Sequence, residues 1–159
     1  MRIVGKVKFR RFHKNDASVV SEIVQYNDLI VASKSYSPRV VSLWINERSS
    51  PEYILEKSIR RDCFVAERGK KILGYINLKG NIIKMLFVNV AFHGKGIGRS
   101  LVNRIEIIAK NNGYKKLICK SNINSEKFYK SIGFRRVRVI HKKDNGIKIK
   151  KILMEKQIK

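Results

Sequence analysis

The sequence predicts an α+β fold whose centre is a mixed, mostly antiparallel sheet. Seven short segments are apolar throughout or alternate apolar with polar residues, which is typical of strands. Turn signals at Arg68-Gly69-Lys70-Lys71 and Asp144-Asn145-Gly146 join neighbouring segments directly and favour antiparallel hairpins. The helix predicted at residues 99–111 stands between two strands, so we expect the only parallel pair of the sheet across that helix.

The first half of the chain is predicted to hold a strand, helical segments and a hairpin. Val7 and Phe9 lie on one face of the first strand by their alternation, and Asn15 or Asp16 can cap the helix that follows. Ser49-Ser50-Pro51 has the form of a cap and a first-turn proline, so a further turn or helix begins there. The predicted ranges are a strand at 6–12, helices from near 16 and 39, a turn or helix at 51–59, and strands at 63–67 and 72–78.

The second half is organised around a glycine-rich loop between a strand and a helix. The strand at 82–88 enters this loop, and the helix that leaves it carries apolar residues on one face and stops at Asn112-Gly113. A short helix then has Asn124 or Ser125 as its predicted N-cap and ends at Gly133. The remaining predicted strands are 117–119, 135–141 and 147–155, and the last of these is expected to close the sheet.

Length and hydropathy predict one domain over residues 1–159. At 159 residues and 18.5 kDa the chain can bury a sizeable core. Its longest apolar runs fall far short of the ~20 residues that cross a bilayer, and the N-terminus lacks the apolar segment of a secretory leader. We therefore expect a cytoplasmic protein, either a monomer or a homodimer.

Cysteine and histidine spacing gives no indication of a metal site. Cys63 and Cys119 belong to no C-x-x-C pair and lie in predicted strands, so we expect two small buried thiols. His13, His93 and His141 are scattered without the spacing of metal ligands. No metal is predicted.

Basic residues greatly exceed acidic ones, and most of the excess lies in the second half. The chain has 36 Lys and Arg against 12 Asp and Glu, a formal net charge of +24. Residues 1–67 hold 12 basic and 8 acidic side chains, whereas residues 68–159 hold 24 and 4. Two interpretations stay open: an acidic partner such as nucleic acid, or a solvated basic surface with no specific partner.

The loop His93-Gly94-Lys95-Gly96-Ile97-Gly98 indicates a phosphate site. Its alternate glycines allow positive φ angles and a close approach to a ligand, and the free amides at the start of the following helix favour an anion. The dinucleotide fingerprint needs its third glycine one residue later, and the Walker loop needs Ser or Thr where this chain has Gly96. Neither motif is present, and an ordinary glycine-rich connection is the alternative.

A second motif, further along the chain, limits the classes of function that the sequence indicates. The spacing N-x-x-x-x-x-[FL]-Y-x-x-x-G-F is matched by Asn122, Phe128, Tyr129, Gly133 and Phe134. Together with the loop, this segment resembles the GNAT superfamily of acetyl-CoA-dependent N-acetyltransferases, whose acetyl-CoA loop is usually written Q/R-x-x-G-x-G/A. The resemblance covers residues 82–134 by motif and the flanks by pattern. The chain departs from the family at His93, where Gln or Arg is usual.

The resemblance implies a GNAT-like fold in which the strands at 82–88 and 117–119 splay apart and hold acetyl-CoA as co-substrate. It implies backbone contacts from Leu86, Phe87 and Val88 to the pantetheine and thioester, with an N–H near Val88 polarising the thioester carbonyl. By the same resemblance Tyr129 is the general acid that protonates the leaving thiolate. The other implied cofactor-binding residues are His93, Gly94, Lys95, Gly96, Ile97, Gly98 and Arg99 around the diphosphate and, further along, Asn122, Phe128 and Tyr129.

The sequence assigns no general base. Many GNAT members place Glu or Asp on one of the two splayed strands, but this chain has no acid on either, and Lys84 lies inside the first. An amine acceptor of lower pKa, such as an α-amino group, would need little help from a base. Otherwise the candidates, acting through water, are Glu47, Glu52, Glu56 and Glu67.

The sequence is therefore compatible with two functions. The first is an N-acetyltransferase that moves an acetyl group from acetyl-CoA to a primary amine of a protein or small molecule, by direct transfer in a ternary complex. The second is a non-catalytic basic binding module of the same fold that binds coenzyme A or nucleic acid. Lys84 would suit an anionic substrate. Tyr36, Trp44 and Tyr53 are candidates to line the acceptor pocket, with core packing as the alternative.

Overall fold

The computed structural model describes residues 6–159 of the chain. The strands are β1 Lys8–Arg11, β2 Asp62–Arg68, β3 Lys71–Lys79, β4 Ile82–Val88, β5 Lys116–Ser121, β6 Arg135–Asp144 and β7 Ile147–Gln157. The helices are α1 Ala17–Ile30, α2 Pro38–Arg48, α3 Pro51–Ser58, α4 Ile97–Asn111 and α5 Glu126–Ser131. The prediction about a secretory leader falls partly on residues 1–5, which lie outside the described range.

The sheet confirms the predicted mixed, mostly antiparallel arrangement. Its strand order is β1-β2-β3-β4-β5-β7-β6, and among the described strands the only parallel neighbours are β4 and β5, on either side of α4. The prediction that the last strand closes the sheet is wrong, because β7 lies between β5 and β6. β7 buries Ile149, Ile152 and Met154 in the core, whereas β6 is largely exposed and carries the basic side chains that suit a sheet edge.

Local capping decides where three of the helices begin. Residue 51 starts a true helix, because the Ser50 side chain accepts a hydrogen bond from the backbone of the first turn and Pro51 needs no N–H partner there. α4 starts two residues earlier than predicted, since left-handed Gly96 ends the loop. Ser125, one of the two predicted N-caps of α5, does occupy the N-cap position, but its side chain makes no capping hydrogen bond and a 3-10 turn precedes the helix. The side-chain oxygen of Asn124, the other candidate, has no hydrogen-bond partner within residues 6–159.

Helices cover both faces of the sheet. α1 and α3 pack on one face, where Val20 and Tyr75 are fully buried. α4 packs on the other face through Leu101 and Ile105. Gly74, in the middle of β3, permits this close approach, because a Cβ atom there would lie 3.1 Å from a methyl group of Leu101. The central strands are thereby held between two helical layers.

The structure also bears on the thiols, on membrane spans and on metal ligands. Cys63 and Cys119 are buried free thiols in β2 and β5, which confirms the prediction for both. No helix within residues 6–159 has the length and apolar character that a membrane crossing requires. The same residues contain no group of three or more His, Cys, Asp or Glu side chains that is placed to hold a metal ion.

The parallel strands β4 and β5 are paired over only a short distance. Ile82 lies opposite Ile118 and Ile83 opposite Cys119, and beyond these two pairs the strands separate. Lys84 is an extra residue relative to β3, because Leu78 pairs with Ile83 while the preceding residue of β3 pairs with Met85. A bulge of this kind bends a strand. The predicted splaying of the two strands is therefore present, and it opens a cleft at the centre of the sheet.

Candidate active site

The cleft between β4 and β5 gathers most of the predicted site residues. It has a volume of ≈ 400 Å³ and extends from the glycine loop, past the open edge of β4, to the end of α1. Nine of the thirteen predicted residues line it: Leu86, Phe87, Val88, His93, Gly94, Gly98, Asn122, Phe128 and Tyr129. The other four, Lys95, Gly96, Ile97 and Arg99, do not line it.

The glycine loop presents unpaired backbone amides at the start of α4. Gly94 and Gly96 have φ angles of 74° and 85°, which a residue with a Cβ atom adopts only with strain. Within the described chain, none of the N–H groups of residues 94–99 donates to a backbone carbonyl. Oriented amides at the positive end of a helix dipole form a binding site for an anion such as a diphosphate.

Gly98 has a different role from the one that its spacing predicted. It lies inside α4 without a positive φ angle, so the expectation of backbone freedom at this position is wrong. A Cβ atom at Gly98 would stand 3.0 Å from the ring of Phe128. The glycine therefore lets α4 pack against α5 at the edge of the cleft.

The four predicted residues outside the lining lie in the loop and in the first turn of α4. Ile97 is buried in the core beneath the loop. Arg99 donates to the backbone carbonyl of Ser131 over 3.4 Å, which fastens α4 to α5. Lys95 is exposed to solvent. Their part in cofactor binding stays a prediction.

His93, the departure from the usual family motif, is fastened to the end of β4. Its Nε2 atom lies 2.8 Å from the carbonyl oxygen of Val88, and the side-chain amide of Asn27 donates to the same oxygen over 2.9 Å. The imidazole therefore fixes the entrance of the glycine loop relative to the open strand. Asn27 ties α1 to the same point.

Tyr129 lies in the cleft, and its hydroxyl has no hydrogen-bond partner among the described residues. Its ring packs edge-on between Phe128 and Phe134, with centroid distances of 5.2 Å to each. Within residues 6–159 no side chain or backbone group hydrogen-bonds the phenol. Burial, and secondarily Cys119, raises the pKa of Tyr129 well above its ordinary value. The phenol is therefore protonated at neutral pH and can donate a hydrogen bond or a proton.

The pKa of the Cys119 thiol shows how strongly the cleft disfavours a negatively charged sulfur atom. Cys119 lines the cleft beside Tyr129, and burial raises the pKa of its thiol to about 12. The cleft thus disfavours a free thiolate, because a desolvated anion is costly.

Asp28 is a buried acid that our sequence reasoning missed. It lies near the end of α1, lines the cleft, and is only 5% exposed. Its carboxylate accepts no hydrogen bond from the described residues, and burial raises its pKa to about 7, opposed by Lys151. A signal was present in the sequence, since Asp28 follows Val20 and Val24 at a spacing of four on the buried face of the helix.

Lys151 is the basic counterpart of Asp28 in the same cleft. Burial lowers its pKa to about 8, and the neighbouring Arg48 and Lys142 lower it further. Its ammonium lies 4.9 Å from the centroid of the Trp44 ring, a cation–π contact. Two ionisable groups that titrate near neutral pH thus line the cleft, which is typical of functional sites.

The acids proposed from the sequence as bases lie elsewhere. None of Glu47, Glu52, Glu56 and Glu67 lines the cleft. Glu67 forms an ion pair with Arg10 at 3.1 Å. The carboxylate that does line the cleft is Asp28 on α1, and not an acid on one of the splayed strands.

Of the three aromatic candidates for an acceptor pocket, two pack in the core and one lines a groove. Tyr36 and Trp44 are buried and pack edge-on at 4.8 Å. The Tyr36 hydroxyl donates to the carbonyl of Lys150 over 2.7 Å and accepts from the amide of Ile123 over 3.0 Å, so it has a structural role. Tyr53 lines a second groove next to the cleft.

The splayed strands, the amide-rich loop and the tyrosine of α5 together define an acetyltransferase fold. The family model for an acetyltransferase (GNAT) domain matches residues 32–157, and the chain belongs to this family. The resemblance found in the sequence is thereby confirmed.

Solved structures with this fold are distant in sequence. A GCN5-related N-acetyltransferase from Rhodopseudomonas palustris has a TM-score of 0.90 at 20% identity, over 99% of each chain. The PaiA N-acetyltransferase from Thermoplasma acidophilum, in complex with coenzyme A, has a TM-score of 0.79 at 21% identity, over 96% of this chain and 99% of that one. YncA from Salmonella typhimurium, with its cofactor acetyl-CoA, has a TM-score of 0.64 at 17% identity, over 96% and 94%. At these identities the likeness shows the fold.

Proposed function

We propose that the protein is an N-acetyltransferase that moves an acetyl group from acetyl-CoA to a primary amine by direct transfer in a ternary complex. The observation that carries this proposal is a single cleft lined by Gly94 and Gly98 of the glycine loop and by Tyr129, whose phenol has no hydrogen-bond partner within residues 6–159. Family membership supports acetyl transfer in general. Two of the solved relatives hold coenzyme A or acetyl-CoA, which supports acetyl-CoA as the donor here.

The donor is held by backbone groups in this proposal. The amides of residues 94–99 bind the diphosphate, and Asn122 and the free edge of β4 from Leu86 to Val88 bind the pantetheine. An N–H of this edge polarises the thioester carbonyl, which stabilises the negative charge that develops on its oxygen during attack. The splay of β4 and β5 supports this arrangement, because it leaves the edge of β4 without a strand partner.

Tyr129 acts as the general acid. The amine attacks the thioester carbon, the carbon–sulfur bond breaks, and the coenzyme sulfur takes the phenolic proton. A buried phenol is a weak acid, but the burial that raises the pKa of the Cys119 thiol to about 12 also makes a leaving thiolate a stronger base. General acid catalysis of this kind is worth roughly 10²–10⁴ in rate.

Asp28 acts as the general base. It accepts a proton from the attacking amine, either before attack or from the ammonium that attack produces. The carboxylate lines the same cleft as Tyr129 and makes no competing hydrogen bond within residues 6–159. A base with a pKa of about 7 is half ionised near neutral pH and is well matched to this task.

The proposed activity is tested by incubating the purified protein with acetyl-CoA and a panel of amines. Acetylated amine and free coenzyme A should appear in equal amounts, and neither should form when the protein is left out. Bound acetyl-CoA without any acetylated product would instead favour the non-catalytic basic module. Nucleic acid binding that weakens steeply with salt would add to that alternative.

Several sequence expectations stay predictions. These are the single domain over residues 1–159, the cytoplasmic location, the monomer or homodimer state, and an acidic or nucleic-acid partner for the basic surface.

A further inference from the structure

A second groove adjoins the cleft where β4 and β5 begin to separate. It has a volume of ≈ 810 Å³ and lies between α2 and α3 on one side and β4, β6 and β7 on the other. Lys84, Lys120 and Lys151 line both the groove and the cleft, so the two spaces adjoin at these side chains. An acceptor in the groove would therefore lie next to a thioester held in the cleft.

The groove is strongly basic. Among the described residues that line it, eight are Lys or Arg and the one acid is Glu47. The eight basic residues are Arg48, Lys57, Arg61, Lys84, Lys120, Arg138, Lys142 and Lys151.

Only some of these positive charges are neutralised by the protein. Arg48 and Lys142 lie 2.6 Å and 3.9 Å from Asp144, and Lys57 lies 3.7 Å from Glu56. The other five have no carboxylate within 4.0 Å in the described part of the chain. They are Arg61, Lys84, Lys120, Arg138 and Lys151.

The bulge in β4 brings Lys84 to the centre of this charge. Burial lowers the pKa of Lys84, and the neighbouring cations Lys120, Arg61, Lys142 and Lys79 lower it further. The protein thus concentrates like charges at a point where they repel one another. An anion bound among them would relieve this repulsion, because opposite charges within a few ångströms favour each other's ionised form.

Resting on the proposed acetyl transfer, we propose that the acceptor is a small primary amine whose own anionic group, a carboxylate or a phosphate, is bound by Lys84 and Lys120. The groove volume of ≈ 810 Å³ is that of a small-molecule site. The anion occupies the groove, and the amine points across the splay toward the thioester. Polycationic acceptors such as polyamines are repelled.

The same positive field opposes a second positive charge in the groove. Burial and, after it, nearby cations lower the pKa of Lys84 and of Lys151. The groove therefore selects the acceptor by its anion and disfavours acceptors that carry several positive charges.

The test compares four amines of similar size: phosphoethanolamine, β-alanine, propylamine and putrescine. We expect kcat/KM to be highest for one of the two anionic amines, lower for propylamine and lowest for putrescine. The better of the first two identifies the anion as a phosphate or a carboxylate. Propylamine or putrescine as the best substrate would overturn the inference while leaving the acetyltransferase proposal intact.

Variants locate the anion site. Lys84→Gln and Lys120→Gln should each lower kcat/KM for the preferred anionic amine by on the order of 10-fold or more, since charge-assisted hydrogen bonds are the stronger ones. Propylamine, which has no anionic group, should lose much less of its kcat/KM than the anionic amine in both variants. The exposed Lys110→Gln on α4 removes an equal charge away from the groove and serves as the control. Equal losses for all amines, or none, would contradict the assignment.

Direct binding separates this inference from the enzyme proposal. If no amine is acetylated, calorimetry with phosphoethanolamine and with β-alanine still tests the groove. Binding of either compound that is lost in Lys84→Gln supports an anion site, and the absence of binding by both overturns it.

Discussion

Replacing Asp28 with Asn tests the proposed base through two opposite effects. The carboxyl group is 5% exposed, and burial raises its pKa from 3.8 to about 7. An amide has nearly the same shape, but it neither carries a charge nor accepts a proton from an amine. We therefore expect Asp28→Asn to lose activity and to gain stability.

The gain in stability follows from the difference in pKa. Because the folded-state pKa lies above the unfolded value, ionised Asp28 lowers the free energy of unfolding above about pH 7, and this penalty disappears below 3.8. A change from 3.8 to about 7 corresponds to about 4 kcal/mol at ~1.4 kcal/mol per pKa unit. This is an upper limit for Asp28→Asn, since the amide still leaves a polar group buried.

The loss of activity has its own pH signature. A base must be ionised, so kcat/KM of the unmodified protein should fall about tenfold for each pH unit below about 7. In Asp28→Asn the inflection near pH 7 should disappear, and the rate near neutral pH should drop by roughly 10²–10⁴. The assays are acetyl transfer across the acidic and neutral range and denaturant unfolding at two pH values.

A matched control lies on the same helix. Glu22 is exposed on α1, so Glu22→Gln should change neither the pH profile nor the free energy of unfolding appreciably. The assignment of the base would be refuted if Asp28→Asn kept the activity and the pH slope of the unmodified protein. Equal stability of the two proteins at alkaline pH would refute the argument from burial.

Two further predictions concern donor binding. Gly96 and Gly113 have φ angles of 85° and 86° with open space beside them, so an alanine at either position costs a similar ~1–2 kcal/mol of stability. Calorimetry should show weaker acetyl-CoA binding for Gly96→Ala and unchanged binding for Gly113→Ala. Equal affinities of the two variants for acetyl-CoA would contradict the amide site. His93→Ala removes the contact with Val88 and should weaken acetyl-CoA binding about 2- to 10-fold, the worth of one hydrogen bond. His93→Gln, which restores the usual family residue, should recover it, and an unchanged affinity in His93→Ala would exclude this role.

The loop and the α5 segment could be predicted because their signals are local. A glycine that must adopt a positive φ angle, as Gly94 and Gly96 do, is visible in the sequence itself. The same holds for the fixed spacing from Asn122 to Tyr129, which places both residues in the cleft. The parallel pair also followed from chain order, since a helix of the length of α4 stood between two apolar segments.

The features that escaped prediction are set by tertiary packing. Asp28 looks like an ordinary polar residue near the end of a helix, and only the packing of α1 over the open end of β4 makes it a buried acid in the cleft. Gly98 likewise looked like part of the phosphate loop until the ring of Phe128 was placed against it. Neither contact is encoded within a few residues of sequence.

The concentration of positive charge in the basic groove also could not be predicted from the sequence. The excess of Lys and Arg in residues 68–159 was evident, but not its convergence on one site. The bulge at Lys84 and the insertion of β7 between β5 and β6 bring basic residues from four strands and two helices together. The order of the strands therefore brings basic residues that are spread through the sequence together at one positively charged groove.

The rate of acetyl transfer by Tyr129→Phe at saturating acetyl-CoA tests the central claim most directly. Loss of the phenol should lower kcat by roughly 10²–10⁴ while calorimetry shows nearly unchanged affinity for acetyl-CoA, because the buried ring is retained. Tyr26→Phe, a change at an exposed tyrosine on α1, is the matched control and should keep full activity. If Tyr129→Phe turned over as fast as the unmodified protein, the sulfur would receive its proton from another group and the proposed mechanism would be wrong.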